Sequence, residues 1–183
     1  MSVNENKVSQ LIQKFQEGDK EAFDQLYVLF KPSLYAFLFR FTKDEQFCID
    51  IVQDAFLKLH ENVHRYDSNK ASLKTYLFQI AYNLMINKLN RRKKWEKLIP
   101  FLIPRHSQTI HQDESLTIRE AILQLSESHR AIIILSYYHE MTQNEISEVV
   151  GIPVGTVKSR LHHAINKLRE FLEVDLHGQE KAK

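Results

Sequence analysis

The stretch MTQNEISEVVGIPVGTVKSRLHHAINKLRE, residues Met141 to Glu170, has the most specific pattern in the chain. Thr142 and Glu145 fit a capping box, in which a hydroxyl and a carboxylate each satisfy a free backbone N–H at a helix start. Gly151 can adopt the left-handed conformation that ends this helix, and Pro153 prevents its continuation. These residues predict a short helix, a tight turn and a second helix.

The second helix has two different faces. One is apolar at helical spacing, with Val157, Leu161, Ala164, Ile165, Leu168 and Leu172. The other carries hydroxyls, amides, imidazoles and cations: Thr156, Lys158, Ser159, Arg160, His162, His163, Asn166 and Lys167. No acid interrupts this face before Glu170, which suits the negative potential and base edges of a DNA major groove. The pattern favours a DNA-binding helix-turn-helix at residues 142–170 over an amphipathic hairpin with a solvated basic face.

The composition indicates an all-α protein, because only 4 glycines and 4 prolines occur among 183 residues. The net charge is +2, so nucleic-acid binding must come from local clusters of cations. The one cysteine, Cys48, excludes an internal disulfide and a cysteine-based zinc site, and its place on an apolar stripe predicts a core position.

The N-terminus has no signal-peptide pattern, and no run of about 18 apolar residues could span a membrane. These features predict a cytoplasmic protein without direct membrane insertion. The 9 histidines lack metal-site spacing, because His162 and His163 are consecutive and no H-E-x-x-H sequence occurs. We expect no catalytic residue, no metal and no cofactor.

Amphipathic spacing predicts three helical segments before residue 45. Gly18 can end the first segment and Asp19 can cap the second, while Pro32 is expected to separate the second from the third. A helix at roughly 45–64 follows. Its outer face is polar and acidic, but Leu57 lies within it. An apolar anchor with a charged rim is typical of a protein-binding surface, although single exposed leucines also occur on surfaces that bind nothing.

Residues 64–72, HRYDSNKAS, predict a surface loop, and another helix begins near Leu73. One face of that helix carries an aromatic ring and a row of amides: Tyr76, Gln79, Asn83, Asn87 and Asn90. Amides can donate to and accept from base edges, and a ring can stack on an unpaired base. The basic cluster at Lys88 and residues 91–97 can neutralise phosphates, or merely stabilise the end of a helix.

Residues 98–112, LIPFLIPRHSQTIHQ, contain two prolines and no helical period, which predicts a linker. We therefore expect one domain at 1–97 and a second at 113–183, the latter with four helices and a polar tail.

The order of these parts resembles the bacterial RNA polymerase sigma factors of the extracytoplasmic-function (ECF) group, which keep two of the sigma family's domains. The segments that carry the resemblance are DIVQDAFLKLH at 50–60, LKTYLFQIAYNLMINKLNRRKK at 73–94 and AILQLSESHRAIIILSYYHEMTQNEISEVVGIPVGTVKSRLHHAINKL at 121–168. Their joint presence is more specific than the helix-turn-helix alone, which many regulators have.

The resemblance implies two small helical domains, similar to sigma regions 2 and 4, that direct core RNA polymerase to promoter DNA. The first would bind the coiled coil of the largest polymerase subunit through Asp50, Gln53, Asp54, Phe56 and Leu57. It would also capture and melt the −10 element through Tyr66, Ser68, Asn69, Lys74, Tyr76, Asn83, Asn87, Arg91 and Arg92. The second would bind the polymerase flap and contact the −35 element through Thr156, Lys158, Ser159, Arg160, His162 and His163.

The resemblance further implies an inhibitory anti-sigma factor and leaves the chemistry of transcription to polymerase. Three residues depart from the family's pattern: Tyr76 for a frequent tryptophan, Ser147 for the usual alanine, and His163 for a common arginine. A histidine at that last position would make a DNA contact depend on pH. The alternative is a stand-alone helix-turn-helix regulator, which would leave Leu57 and the amide row unexplained.

Overall fold

The computed structural model describes residues 3–98 and 118–180, with side-chain surroundings given for 6–95 and 118–173. All regular structure in these ranges is helical, so the predicted all-α fold is confirmed. The N-terminal domain contains α1 (Val3–Gln16), α2 (Lys20–Thr42), α3 (Glu45–Asn62), a 3-10 turn (Val63–Arg65) and α4 (Leu73–Leu98). The C-terminal domain contains α5 (Ile118–Gln124), α6 (Glu127–His139), α7 (Gln143–Val150) and α8 (Val154–Glu180).

The signals predicted at the first helix boundary act as expected. Gly18 has φ of 99°, a left-handed conformation in which a side chain would be strained. The Asp19 carboxylate then accepts hydrogen bonds from the N–H groups of Glu21 and Ala22, at 2.9 and 3.2 Å. The turn between α1 and α2 is therefore fixed by local chemistry.

Pro32 does not separate two helices, contrary to the prediction. It lies within the continuous helix α2. Proline inside a helix removes one hydrogen bond and crowds the preceding turn, at a cost of about 3 kcal/mol. Here its ring faces solvent, while Phe30, Leu34 and Phe37 continue one buried stripe past it. Burial of that stripe offsets the cost, so the tertiary environment overrides the local signal.

The N-terminal core is aromatic and fully enclosed. Phe37 lies between Phe41 and Phe78, with ring centroids 6.4 and 5.4 Å away. Cys48 is also fully buried, which confirms its predicted core position. These contacts pack α2, α3 and α4 against one another. The exposed polar faces of α3 and α4 lie on the outside of this core.

The helix-turn-helix forms as predicted. The Thr142 hydroxyl accepts from the Glu145 N–H, and a Glu145 carboxylate oxygen accepts from the Thr142 N–H at 2.8 Å. Gly151 ends α7 at φ of 69°. Ser147 donates from its hydroxyl to the carbonyl of Ile152 at 2.5 Å and so stabilises the turn.

Replacement of Thr142 by alanine is expected to lower the free energy of unfolding by about 1 kcal/mol, because the N–H of Glu145 loses its acceptor. Urea denaturation followed by circular dichroism measures this loss. Gln143→Ala is the matched control, since Gln143 is an exposed neighbour on the same helix turn. An equal change in the two variants would contradict the role of the capping box.

The two domains pack directly on each other, which the sequence did not indicate. Helix α7 lies against α4, and α6 lies against α2. Buried apolar residues of both domains form one continuous cluster. The predicted linker at 98–112 lies outside the described residues except for Leu98, the last residue of α4. The boundaries 1–97 and 113–183 remain a prediction.

Candidate nucleic-acid and protein interfaces

The outer face of α3 has the predicted mixture of polar and apolar groups. The Leu57 side chain is 57% exposed, and Asp50 and Gln53 are exposed beside it at helical spacing. Ile49, which sequence reasoning missed, is 37% exposed on the same stripe and extends the apolar surface. We call Ile49, Asp50, Gln53 and Leu57 the α3 face. Two exposed aliphatic side chains within one polar stripe fit a protein contact better than one does.

Phe56 does not belong to this exposed surface. Its side chain is 3% exposed, and its ring packs against Tyr27 at 4.7 Å and Phe23 at 6.2 Å. The predicted contact residue therefore supports the α3 face from within. Its spacing placed it at the boundary of the apolar stripe, and only the position of α2 decides which way it points.

Asp54 lies at the edge of the α3 face, where it joins α3 to α4. Its carboxylate pairs with the Lys88 ammonium at 2.9 Å, and Asp44 pairs with Arg92 at 3.6 Å. Both pairs are substantially exposed, so each contributes little to stability. The buried packing of α3 on α4 sets their relative position, and the two pairs join the acidic edge of α3 to the basic end of α4.

The loop between the 3-10 turn and α4 is ordered by its own hydrogen bonds. The Asp67 carboxylate accepts from the backbone N–H of Asn69 at 2.9 Å, and the Tyr66 hydroxyl donates to the Ala71 carbonyl at 3.0 Å. Gln16 of α1 donates to the carbonyls of Val63 and Tyr66, at 3.0 and 3.2 Å. This leaves Ser68 and Asn69 exposed at a fixed loop tip.

A recess of about 370 Å³ opens between α1 and this loop. Gln13 and Gln16 line it from α1, and Tyr66, Asp67 and Ser68 line it from the loop. The Tyr66 ring also lies 5.4 Å from the Tyr76 ring. Burial raises the pKa of the Tyr66 hydroxyl, so it stays a neutral donor. Amides, a hydroxyl and aromatic edges are suitable partners for an unstacked base.

The amide row of α4 is only partly open. Asn83, Asn87 and Asn90 are exposed, and Arg91 and Arg92 continue the exposed surface into the basic end. Gln79, in contrast, donates to the Glu148 carbonyl of α7 at 2.8 Å. Lys74 donates to the His139 carbonyl of α6 at 2.7 Å. The predicted −10 residues thus divide into an exposed group, the half-buried pair Tyr66 and Tyr76, and Lys74, which is bound by the other domain.

The outer face of α8 presents most of the predicted −35 residues together. Lys158, Ser159, His162 and His163 are all exposed. His162 contacts the Asn166 amide at 3.2 Å, and its ring centroid is 6.0 Å from that of His163. These side chains carry both hydrogen-bond donors and acceptors, which can pair with base edges in a major groove.

Two predicted −35 residues lie at the rim of this face. Thr156 is half-buried at the start of α8, where its N–H donates to the Pro153 carbonyl at 2.9 Å. Arg160 is half-buried and lies near Tyr82 of α4 and His129 of α6. Burial raises the pKa of Tyr82 while the Arg160 charge opposes that rise, and burial followed by Lys167, Arg160 and His163 lowers the pKa of His129. Arg160 therefore lies at the seam between the two domains.

Sequence reasoning missed two residues at the seam between the domains. The Arg130 guanidinium donates to the Phe41 carbonyl of α2 at 2.8 Å and also to the carbonyls of Leu123 and Leu125. The His139 ring packs against Phe37 at 5.9 Å and Phe78 at 4.9 Å. Neither residue breaks the helical period of α6, so no local signal could have identified them.

The described residues contain no group of three or more His, Cys, Asp or Glu side chains placed to hold a metal ion. Across residues 3–98 and 118–180, every helix is too short or too polar to cross a membrane.

Comparisons with known proteins agree with this arrangement. The Sigma-70 region 2 family matches residues 26–95, and the Sigma-70, region 4 family matches residues 121–170. The ECF RNA polymerase sigma factor SigW of Bacillus subtilis is 28% identical, over 92% of this chain and 98% of its own length. The ECF RNA polymerase sigma factor RpoE of Cereibacter sphaeroides is 30% identical, over 84% of this chain and 88% of its own length.

A solved structure is also similar, that of the sigma factor RpoE in complex with the anti-sigma factor NepR from Bartonella quintana. Its TM-score is 0.68 at 25% identity, and the match covers 84% of this chain and 98% of that one. The two family matches lie on the two domains in the predicted order, which a stand-alone helix-turn-helix regulator would not show. The chain belongs to the ECF family of RNA polymerase sigma factors and directs polymerase to promoters.

Proposed function

We propose that the α3 face binds core RNA polymerase, the loop and exposed side of α4 capture the −10 element as opened strand, and the outer face of α8 contacts the −35 element as duplex. The chain would supply recognition and strand capture, and polymerase the chemistry. The observation that carries this proposal is that Ser68 and Asn69 of the loop and Asn83, Asn87 and Arg91 of α4 are all exposed, with a recess beside the loop.

That surface suits single-stranded DNA because each of its parts matches a different component of an opened strand. The recess offers amide and hydroxyl groups to a base that has left the stack. The exposed amides of α4 can pair with base edges in a sequence-dependent way. Arg91 and Arg92 are exposed one helical turn further along and can bind phosphates.

The α3 face and the exposed side of α4 are held in a fixed relation by the buried packing of α3 on α4, with the pairs Asp54–Lys88 and Asp44–Arg92 at its edge. Binding of polymerase at α3 would therefore place α4 at a defined position on the opened promoter. Asp54 supports this geometry, and we propose that Asp50, Gln53 and Leu57 make the direct polymerase contacts.

We further propose that the C-terminal domain binds the polymerase flap and that an anti-sigma factor inhibits the protein. The second proposal is supported by the similar sigma factor RpoE, which was solved in complex with an anti-sigma factor. Since polymerase works in the cytoplasm, this chain would act there.

Run-off transcription with core polymerase tests the proposed function. A promoter library selected with the holoenzyme supplies the template, and addition of this chain should produce transcripts of defined start. Promoter-independent transcription, together with tight duplex binding by the chain alone, would contradict the proposal and favour a stand-alone regulator.

Asn83→Ala should reduce promoter opening roughly 10-fold while changing duplex binding by less than twofold, because loss of one good base contact costs about 1–3 kcal/mol. Permanganate reactivity of unpaired thymines measures opening, and fluorescence anisotropy measures duplex binding. Gln25→Ala is the control, since Gln25 is an exposed amide on α2 away from this surface. Permanganate patterns equal to wild type would refute the role of Asn83.

A further inference from the structure

A cavity of about 260 Å³ lies between α2, α5 and α6, and none of its residues belongs to the DNA or polymerase surfaces proposed above. Three aromatic rings form part of its wall: Tyr35, Phe39 and Tyr138. Three cations also line it: Arg40 and Lys43 of α2 and Arg119 of α5. The other lining residues are Ala36 and Ile122, so none of the described residues in the wall is acidic.

The three cations have no acidic partner. Within residues 6–95 and 118–173, none of them forms an ion pair with a carboxylate. Burial lowers the pKa of Lys43, and the charges of Arg119 and then Arg40 lower it further. Glu45 raises the pKa of Tyr35, after the larger effect of burial, but it does not line the cavity. Because cations that converge in a partly desolvated cavity repel one another, an anion between them would be favoured.

The aromatic rings hold two of the cations in defined positions. The Arg40 guanidinium lies 4.4 Å from the centroid of the Tyr138 ring, and the Lys43 ammonium lies 5.1 Å from that of Phe39. The Phe39 ring is itself stacked on Tyr35, with centroids 5.8 Å apart. A guanidinium held on a ring face keeps N–H groups at its edge for an anion. These contacts order the side chains and leave their positive charge in place.

Lys43 reaches the cavity from a backbone conformation that side chains rarely adopt. Its φ is 60°, in the left-handed region, and its N–H donates to the Phe39 carbonyl at 3.0 Å where α2 ends. Glycine adopts this conformation without strain, so the helix end alone does not require a lysine. A cation here does interact favourably with the helix dipole. That benefit does not explain Arg119, which comes from another helix and adds repulsion.

The size and charge of the cavity favour a compact anion with more than one negative charge. Pockets for drug-sized ligands have volumes of about 300–1,000 Å³, so this cavity suits a smaller group. Two guanidinium groups and one ammonium are good donors to phosphate oxygens. A diphosphate places several negative charges close together, which matches three converging cations better than the single charge of a DNA backbone phosphate does.

We propose that this cavity binds a diphosphate group, supplied either as free pyrophosphate or as part of a nucleotide. Arg40, Lys43 and Arg119 bind the phosphate oxygens, and the nucleoside of a nucleotide lies at the cavity mouth. The inference goes beyond the proposed function and does not depend on the DNA and polymerase contacts described there.

Isothermal titration calorimetry of the free, full-length chain with sodium pyrophosphate tests the site. Lys43→Gln and Arg119→Gln should each weaken binding at least roughly 10-fold, because each removes a charge-assisted contact. Arg119 is exposed, so its replacement leaves the fold intact. Lys31→Gln is the matched control, since Lys31 is an exposed cation of α2 outside the cavity. No binding by wild type, or an equal loss in the control, would overturn the proposal.

Acetylation of lysine amines locates the bound anion. Saturating pyrophosphate should slow acetylation of Lys43 at least roughly fivefold, because the anion covers the amine and favours its unreactive protonated form. The rate at Lys31 should stay unchanged, and peptide mass spectrometry measures both residues in one sample. Equal protection of the two lysines, or none at Lys43, would overturn the assignment to this cavity.

Three other ligands distinguish the sources of the diphosphate and test the phosphate chemistry. Tighter binding of guanosine diphosphate than of pyrophosphate would identify a nucleotide, because the nucleoside adds contacts with the rings. Equal or weaker binding would identify the free anion, and both results support a diphosphate site. Guanosine should not bind, and citrate should bind at least roughly 10-fold more weakly than pyrophosphate, because its carboxylates match the paired donors of arginine less well in this arrangement. Binding of guanosine, or equal binding of citrate, would overturn the proposal.

Discussion

Replacement of Leu57 by aspartate will lower the affinity for core RNA polymerase by roughly 30-fold or more. Truncation or reversal of an apolar anchor at the centre of a protein interface costs about 2 kcal/mol or more. Leu57 is the most exposed aliphatic side chain of the α3 face, so it is the residue best placed to enter a pocket on the partner. Biolayer interferometry with immobilised core polymerase measures the change.

Val28→Asp is the matched control for this substitution. Val28 is 72% exposed on α2, outside the α3 face, and receives the same charge. Neither variant should change the thermal midpoint by more than about 2 °C, because both side chains are exposed. Wild-type affinity in Leu57→Asp, or an equal loss in both variants, would show that the α3 face does not bind polymerase.

Acidification from pH 7.5 to 4.5 will destabilise the protein through His139, by up to roughly 3 kcal/mol. Burial, followed by the charges of Lys74 and Arg40, lowers the His139 pKa from 6.5 to about 4. Its neutral form is therefore favoured in the packed state, where the side chain is 8% exposed and Nε2 has no hydrogen-bond partner. Each pKa unit corresponds to about 1.4 kcal/mol.

The sign follows from proton linkage. At neutral pH neither the packed nor the unfolded state carries this proton. Below pH 6.5 the unfolded state binds it and the packed state does not, so the free energy of unfolding falls until the pH reaches about 4. The groups facing the ring include two cations, Lys74 of α4 and Arg40 of α2, and both oppose protonation.

Urea denaturation at several pH values measures this effect as a difference between wild type and His139→Leu. Other histidines and the carboxylates titrate in both proteins, so their contribution cancels in the comparison. The wild-type free energy of unfolding should fall more steeply between pH 6.5 and 4.5. Parallel pH profiles would show that burial of the His139 ring does not destabilise the protein at low pH.

Local signals in the sequence predicted most helix boundaries and several surfaces. Asp19 and Thr142 accept hydrogen bonds from backbone N–H groups at helix starts, and Gly151 ends a helix. Each acts on residues within four positions of itself, so its effect does not depend on distant parts of the chain. Exposed Asn83 and Asn87 were predicted because helical spacing alone separates a polar row from an apolar stripe. The same spacing placed Ser159 and His163 on one outer face of α8.

Errors arose where a neighbouring helix decides the outcome. Pro32 stays within α2 because a buried aromatic stripe runs past it, and Phe56 turns inward because α2 brings Tyr27 against it. Both outcomes depend on contacts between helices, and periodicity within one helix does not contain that information. Ile49 differs, because it lies at i, i+4, i+8 spacing with Gln53 and Leu57 and helical periodicity could have identified it.

The sequence by itself determined an all-α chain with two sets of DNA-binding features, a helix-turn-helix and an amide row ending in cations. Only the tertiary structure decided that the two domains share one buried cluster and that Lys74 of α4 is bound by the His139 carbonyl, 65 residues away. The physical reason is the distance along the chain over which each signal acts. Caps and periodicity act within a few residues, whereas a domain interface depends on which two surfaces meet after both have folded.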